Sequence, residues 1–309
     1  MRNGAIWQDT EGRDIQAHGG CIIKHGDVFY WYGENKDGEN KIAHFATGLV
    51  AHRVDVIGIS CYSSSDLLNW KYEGLVLEAD RYNPESPLHT SKVLERPKVI
   101  YNEKNHRFVL WVHLDNAEYS YAGVGVAVSD SPTGPFEFKR AFVPNNQDSR
   151  DMTVYKDSDG TAYLVHSKDR NKTMNIARLT DDYEGVDGLS VSVLVDQARE
   201  SPTVFFDGGV YYMITSGCTG WDPNPALYAT SGNMLGKWRL IDNPCTGVGR
   251  ETTYDGQASF VFEAEGRFYL MLDHWIPENL RKSGYSILPI KLDGRGHVSV
   301  AWQNEWQGM

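Results

Sequence analysis

One unit recurs five times along the 309-residue chain: a short apolar strand, a tight turn and an aromatic-rich strand. The copies lie at 21–32, 98–111, 152–165, 203–214 and 259–270. Their turns carry Gly26-Asp27, Asp159-Gly160, Gly208-Gly209 and Glu265-Gly266, residue types that tolerate the positive φ of hairpin turns. A further strand pair follows, seen at 58–70, at 123–136, and at 226–231 with 236–238. The aromatic after each first turn falls at Phe29, Phe108, Tyr163, Tyr211 and Phe268, at intervals of 79, 55, 48 and 57 residues. Four strands per repeat with hardly any helical periodicity predict an all-β, five-bladed β-propeller. No Pro- or Ser-rich linker interrupts the pattern, so residues 1–309 are expected to form a single domain. A β-sandwich would explain the strand content but not the shared two-hairpin grammar. The last strand, 296–302, is expected to meet the N-terminal segment and close the ring.

The formal charge of −11 argues against nucleic acid or an anionic membrane as partner, because both need a Lys/Arg surface. No apolar run approaches the ~18 residues of a membrane span, so membrane insertion is not expected. Residues 1–9 hold no apolar signal core. The expected location is outside the cytoplasm (secreted or periplasmic), in a form whose signal is absent from this sequence, with the cytoplasm as the alternative. A monomer is expected. The 9 Trp, 17 Tyr and 11 Phe supply rings that can stack on a neutral ligand such as sugar, although most fall in the repeated strands and pack blades. Cys21, Cys61, Cys218 and Cys245 show no CxxC spacing. Cys21 and Cys61 read as buried thiols, and Cys218 with Cys245 as an alternative pair. Asn171-Lys172-Thr173 matches a glycosylation tripeptide, a short pattern that also arises by chance.

In a propeller the first strand of each blade lines the central funnel. The residues that open these strands are the candidates for a shared site: His18, Glu95, Asp151, Glu200 and Gln257. Carboxylates or an amide at four of five equivalent places are what a site on a common axis produces. Paired carboxyl groups suit glycoside hydrolysis, one protonated for the leaving oxygen and one acting on water, ~6.5–9.5 Å apart for inversion. A third carboxylate nearby raises the pKa of the acid. Loops after the second strands offer sugar contacts at Tyr119, Tyr121, Thr219 and Trp221, and Glu34 ends the strand Tyr30-Trp31-Tyr32-Gly33-Glu34. His18 is counted with these binding candidates, or else is a structural histidine or the ligand of a central ion or water. Asp157-Ser158-Asp159-Gly160 mimics the start of a calcium loop but lacks its twelfth-position Glu and reads as a hairpin turn. His113, His166 and His274 recur at the ends of second strands and read as inter-blade packing. No metal site is predicted and no cofactor is required; a structural calcium ion is the open alternative.

Glu200-Ser201-Pro202-Thr203-Val204, and Arg150-Asp151 ahead of Tyr155-Lys156-Asp157, resemble glycoside hydrolase family 43. More narrowly, His18-Gly19-Gly20, Glu95-Arg96-Pro97-Lys98-Val99 and Tyr254-Asp255-Gly256-Gln257 resemble its exo-β-1,3-galactanase branch, and the similarity runs over nearly the whole chain. The resemblance implies Glu200 as general acid and Asp151 as the residue that tunes and orients it. Most of the family carries a catalytic-base Asp ahead of the first strand; here His18-Gly19-Gly20 stands there, and Asp14 is four residues too early. The galactanase branch shares that departure and places a Gln at the position of Gln257, where it positions or activates water. Glu95 is the competing base, and otherwise a binder of the terminal galactose hydroxyls. The implied substrate is a β-1,3-linked galacto-oligosaccharide or polysaccharide of the arabinogalactan kind. The alternatives are an α-L-arabinofuranosidase or β-xylosidase of the same family, and a catalytically silent glycan-binding propeller.

Overall fold

The computed structural model describes residues 1–44 and 50–309. Five blades follow one another in the chain: four are four-strand antiparallel sheets, and the fifth has four antiparallel strands with a short parallel strand added at its edge. Their inner strands are His18–His25, Val93–Asn102, Met152–Lys156, Arg199–Asp207 and Gln257–Ala264, one in each predicted repeat. Helix among the described residues is confined to three short 3-10 segments. The first blade carries an inserted hairpin, Asn40–His44 with Val50–Val54, between its second and third strands.

The ring closes because strands with two apolar faces must be covered on both sides. Five buried clusters do this, one at each blade–blade interface. Each inner strand also packs on the inner strands of both neighbouring blades, which leaves their leading ends around one axis. The largest aromatic cluster joins the fifth blade to the first. Trp31 lies 5.3 Å from Trp70 and 4.8 Å from Tyr285 in edge-on contacts. Trp7 and Trp306 complete it. Fully burying one such side chain contributes about 1.5–3 kcal/mol, so this seam is a main source of closure.

Closure differs from the expectation in one respect. Val298–Ala301 pairs within its own blade with Gly284–Leu292 and, in parallel, with Cys245–Thr246. The N-terminal segment instead meets the residues beyond that strand: the Met1 ammonium donates to Trp306 O (2.7 Å), and Trp306 N–H donates back to Met1 O (2.7 Å). The Asp157–Gly160 segment is a turn, with Gly160 N–H donating to Asp157 O and Gly160 at φ +85°.

Candidate active site

Four of the five inner strands carry one extra residue near their funnel end. Pairing with the second strand slips by one between His18 and Cys21, Glu95 and Lys98, Glu200 and Thr203, and Ala258 and Phe260. In three blades the residue after the candidate side chain has positive φ: Gly19 at +58°, Arg96 at +54° and Ser201 at +50°. Such bulges bend a strand and re-aim its side chains. Gly19 is needed for a second reason, because an added Cβ would sit 2.4 Å from Glu34 Oε1. The third blade's register runs without a slip through Met152–Lys156. Its ladder extends through Arg150 N–H to Ser167 O and Ser167 N–H to Asp151 O, both 3.0 Å, which fixes Asp151 at the rim.

The side chains so aimed meet around Arg96. Its Nη2 donates to Asp151 Oδ2 (2.8 Å) and to Gln257 Oε1 (2.6 Å), and its backbone N–H donates to Glu34 Oε1 (2.9 Å). Arg96 Nη1 is buried with no hydrogen-bond partner among the described residues, a cost that the charge pairing of Nη2 must offset. Gln257 uses all four of its bonds: Oε1 also accepts from Trp275 Nε1 (3.0 Å), and Nε2 donates to Glu200 Oε1 (3.2 Å) and Ser216 Oγ (3.0 Å). Asn171 Nδ2 donates to the other oxygen, Glu200 Oε2, at 3.2 Å. Across the cavity Glu95 Oε1 accepts from Tyr119 Oη (2.7 Å), and Lys36 Nζ pairs with Glu34 Oε2 (2.6 Å). These groups line an open cavity of about 140 Å³ that also takes in Trp221 and Trp275. The two indoles meet edge to face at 5.3 Å and offer an apolar wall beside the carboxylates.

The electrostatics separate the carboxyl groups by role. Burial first, and the neighbouring Asp151 charge second, push Glu200 up from 4.5 to about 8, against the pull of Arg96. Glu200 is therefore protonated at neutral pH and able to give a proton. Burial also raises Glu34, opposed by Lys36. Arg96 is held in its charged form chiefly by Asp151 and Glu34, which outweigh its burial.

Glu200, Asp151, Gln257, Glu95, Glu34, Tyr119 and Trp221 thus share one cavity. Three predicted binders do not. His18 is fully buried; its Nδ1 faces Asp273 Oδ1 (3.2 Å) and its Nε2 faces Tyr285 Oη (3.0 Å), so no ring nitrogen is left for a sugar or a cation. The Lys98 ammonium, held down to about 8 by burial, donates to Gly19 O (2.7 Å) in the same floor, where a second cation would be repelled. No group of three His, Cys, Asp or Glu among the described residues is arranged to hold a metal. Tyr121 lies against Gly123, and Thr219 spends its hydroxyl inside its own loop on Asp222 O and Asn224 Nδ2. Asp14 is tied to Lys282, outside the cavity. Cys218 and Cys245 are unpaired: Cys245 is buried in the fifth blade, while Cys218 lies beside Asn171. His113, His166 and His274 are buried, with His166 facing Asn175 and His274 facing Ser286 inside their own blades.

Arg96, Lys36, Trp275 and Asn171 belong to the site and were not among the sequence candidates. Trp275 follows the second strand of the fifth blade, so the rule that found Trp221 reaches it too. Arg96 stands next to Glu95, and nothing in the sequence says that a bulge turns both inward. Asn171, first residue of the glycosylation tripeptide, carries no chemical signal at all.

The family model described as glycosyl hydrolases family 43 matches residues 21–286. A solved β-1,3-galactosidase of that family, in complex with galactodeoxynojirimycin, aligns at TM-score 0.89 and 35% identity over 99% of both chains. An exo-β-1,3-galactanase from Phanerochaete chrysosporium, solved with galactose, aligns at TM-score 0.85 and 33% identity over 97% of this chain and 66% of that one. A curated arabinoxylan arabinofuranohydrolase from Paenibacillus polymyxa is 27% identical over 259 residues, 71% of this chain; the chain spans 38% of that protein's length.

Proposed function

The chain belongs to glycosyl hydrolase family 43, and from that premise we propose that it is an inverting exo-β-1,3-galactanase, releasing galactose from the end of a β-1,3-galactan. The observation that carries the proposal is Glu200, raised to about 8 beside Asp151 in a funnel lined by a second, separate carboxylate. Protonated Glu200 gives its proton to the leaving glycosidic oxygen. Asp151 keeps that proton on by its charge and orients the site through Arg96.

Water activation falls to Glu95 or Gln257, and their surroundings differ. Gln257 touches Glu200 at 3.2 Å, leaving no room for a sugar between them, whereas inversion sets its two groups ~6.5–9.5 Å apart. Both lone pairs of its oxygen are already filled by Arg96 and Trp275. Glu95 has Oε2 without a hydrogen bond among the described residues and is a carboxylate, a stronger base than an amide. The geometry supports Glu95 as proton acceptor and Gln257 as the group that orients Glu200. Azide added to Glu95→Ala should replace water and restore turnover as α-galactosyl azide. If azide rescues Gln257→Ala instead, the assignment reverses.

Galactose should appear from β-1,3-galactobiose, and Glu200→Gln should abolish its release. Faster turnover of aryl α-L-arabinofuranosides or β-xylosides would move the specificity to the relatives' other substrates. Tight binding of the disaccharide without release at any pH would make the propeller a glycan binder.

A further inference from the structure

Glu200 is gripped on both oxygens by carboxamides, and each is delivered by an unusual piece of backbone. Asp169, Arg170 and Asn171 have φ of +54°, +56° and +64°; Thr253, Tyr254 and Asp255, just ahead of Gly256-Gln257, have φ of +51°, +59° and +61°. Among the described residues these are the only runs of three successive non-glycine residues in the left-handed region. L-residues disfavour that region, and such strain concentrates at functional sites. One run ends at the amide on Glu200 Oε2; the other precedes the amide on Oε1.

The first run is braced. Both oxygens of Asp148 accept from it, Oδ1 from Asp169 N–H (2.7 Å) and Oδ2 from Arg170 N–H (3.0 Å). Ser167 Oγ donates to Asn171 Oδ1 (2.8 Å), so the Asn171 amide can present only its NH₂ to Glu200. Ser167 is also the residue whose N–H holds Asp151 O, which links this turn to the residue that tunes the acid.

We propose that Asn171 is a positioning residue for Glu200, carried to it by a left-handed turn that Asp148 caps. The inference rests on Glu200 being the general acid. Its consequence is a directed effect on acidity, because a donor to a carboxylate oxygen favours the ionised form. The same carboxyl also faces Asp151, which raises it, and Arg96, the Cys218 thiol and Arg199, which lower it; beside them the amide keeps Glu200 from rising further and fixes its rotamer toward the cavity.

Asn171→Ala should move the alkaline limb of kcat/KM upward by about one pH unit and lower kcat about tenfold, with KM nearly unchanged. Asp148→Ala should reproduce both changes, and the double variant should be no worse than Asn171→Ala alone, since both act through one contact. Asp148→Asn, which keeps one acceptor oxygen, should fall between. The Glu200 carboxyl can also be titrated by NMR in protein carrying labelled Glu, a readout that needs no turnover and so separates failure of this inference from failure of the galactanase assignment. If either alanine variant fails to fold, Asn171→Asp retains the left-handed preference and should raise the Glu200 titration still more. An unmoved titration in Asn171→Ala, a rise in KM alone, or additive effects of the two alanine variants would overturn the proposal.

Discussion

Replacing Glu200 by Gln should make the protein more stable as it becomes inactive, and the gain should grow with pH. The carboxyl titrates near 4.5 when unfolded and near 8 in the fold. Below the lower value both states hold the proton and the group contributes nothing. Between the two values the unfolded chain releases a proton that the native state retains, so wild-type stability falls by about 1.4 kcal/mol per pH unit. At pH 7 the accumulated loss is about 3 kcal/mol. The amide does not titrate and escapes it. One offset opposes the gain: Gln presents a single acceptor oxygen, so its NH₂ must face either Asn171 Nδ2 or Gln257 Nε2, which costs about 1–2 kcal/mol. That offset is independent of pH, whereas the titration is not. The assay is denaturant unfolding of both proteins in steps between about pH 4 and 8.5. The stability difference should be flat below the ordinary carboxyl range and then climb in favour of Glu200→Gln by about 1.4 kcal/mol per unit. A difference that stays constant across this window would refute the raised acidity and with it the assignment of the acid.

Three further substitutions test other parts of the site. Asp151→Asn removes the charge that helps hold the proton on Glu200, so the alkaline limb of kcat/KM should move down by about one unit. Trp221→Ala removes half of the paired indole wall; KM for galactobiose should rise about tenfold while the pH profile stays in place. Gly19→Ala forces a Cβ toward Glu34 Oε1 at a left-handed position, and should lower stability by about 1–3 kcal/mol, measured by thermal unfolding, and weaken substrate binding.

The propeller was legible because its signal is local and repeated. Each hairpin declares itself by a turn and an aromatic strand, and five copies leave one architecture that buries all their faces. The funnel carboxylates were legible by the same symmetry, since Glu95, Asp151, Glu200 and Gln257 open equivalent strands. What escaped depends on features that sequence spacing does not encode. The bulges that aim Glu95 and Glu200 use Arg96 and Ser201 at positive φ, residues that do not advertise such a conformation. His18 opens the first inner strand like the others, yet Asp273 and Tyr285 occupy both its nitrogens from the far end of the chain. Ring closure misled for a related reason: the last strand found a partner in Cys245–Thr246, and the N-terminus took the residues after it. Asn171 lay beyond reach because its role depends on a turn capped by a carboxylate 21 residues earlier.

The central claim is single displacement at the anomeric carbon, with Glu200 as proton donor and a water activated from the opposite side. Proton NMR of β-1,3-galactobiose in the first moments of hydrolysis tests it most directly. The α-anomer of galactose should appear first and then mutarotate, and no galactose should form with Glu200→Gln. β-Galactose as the first product, or undiminished release by that variant, would contradict the account.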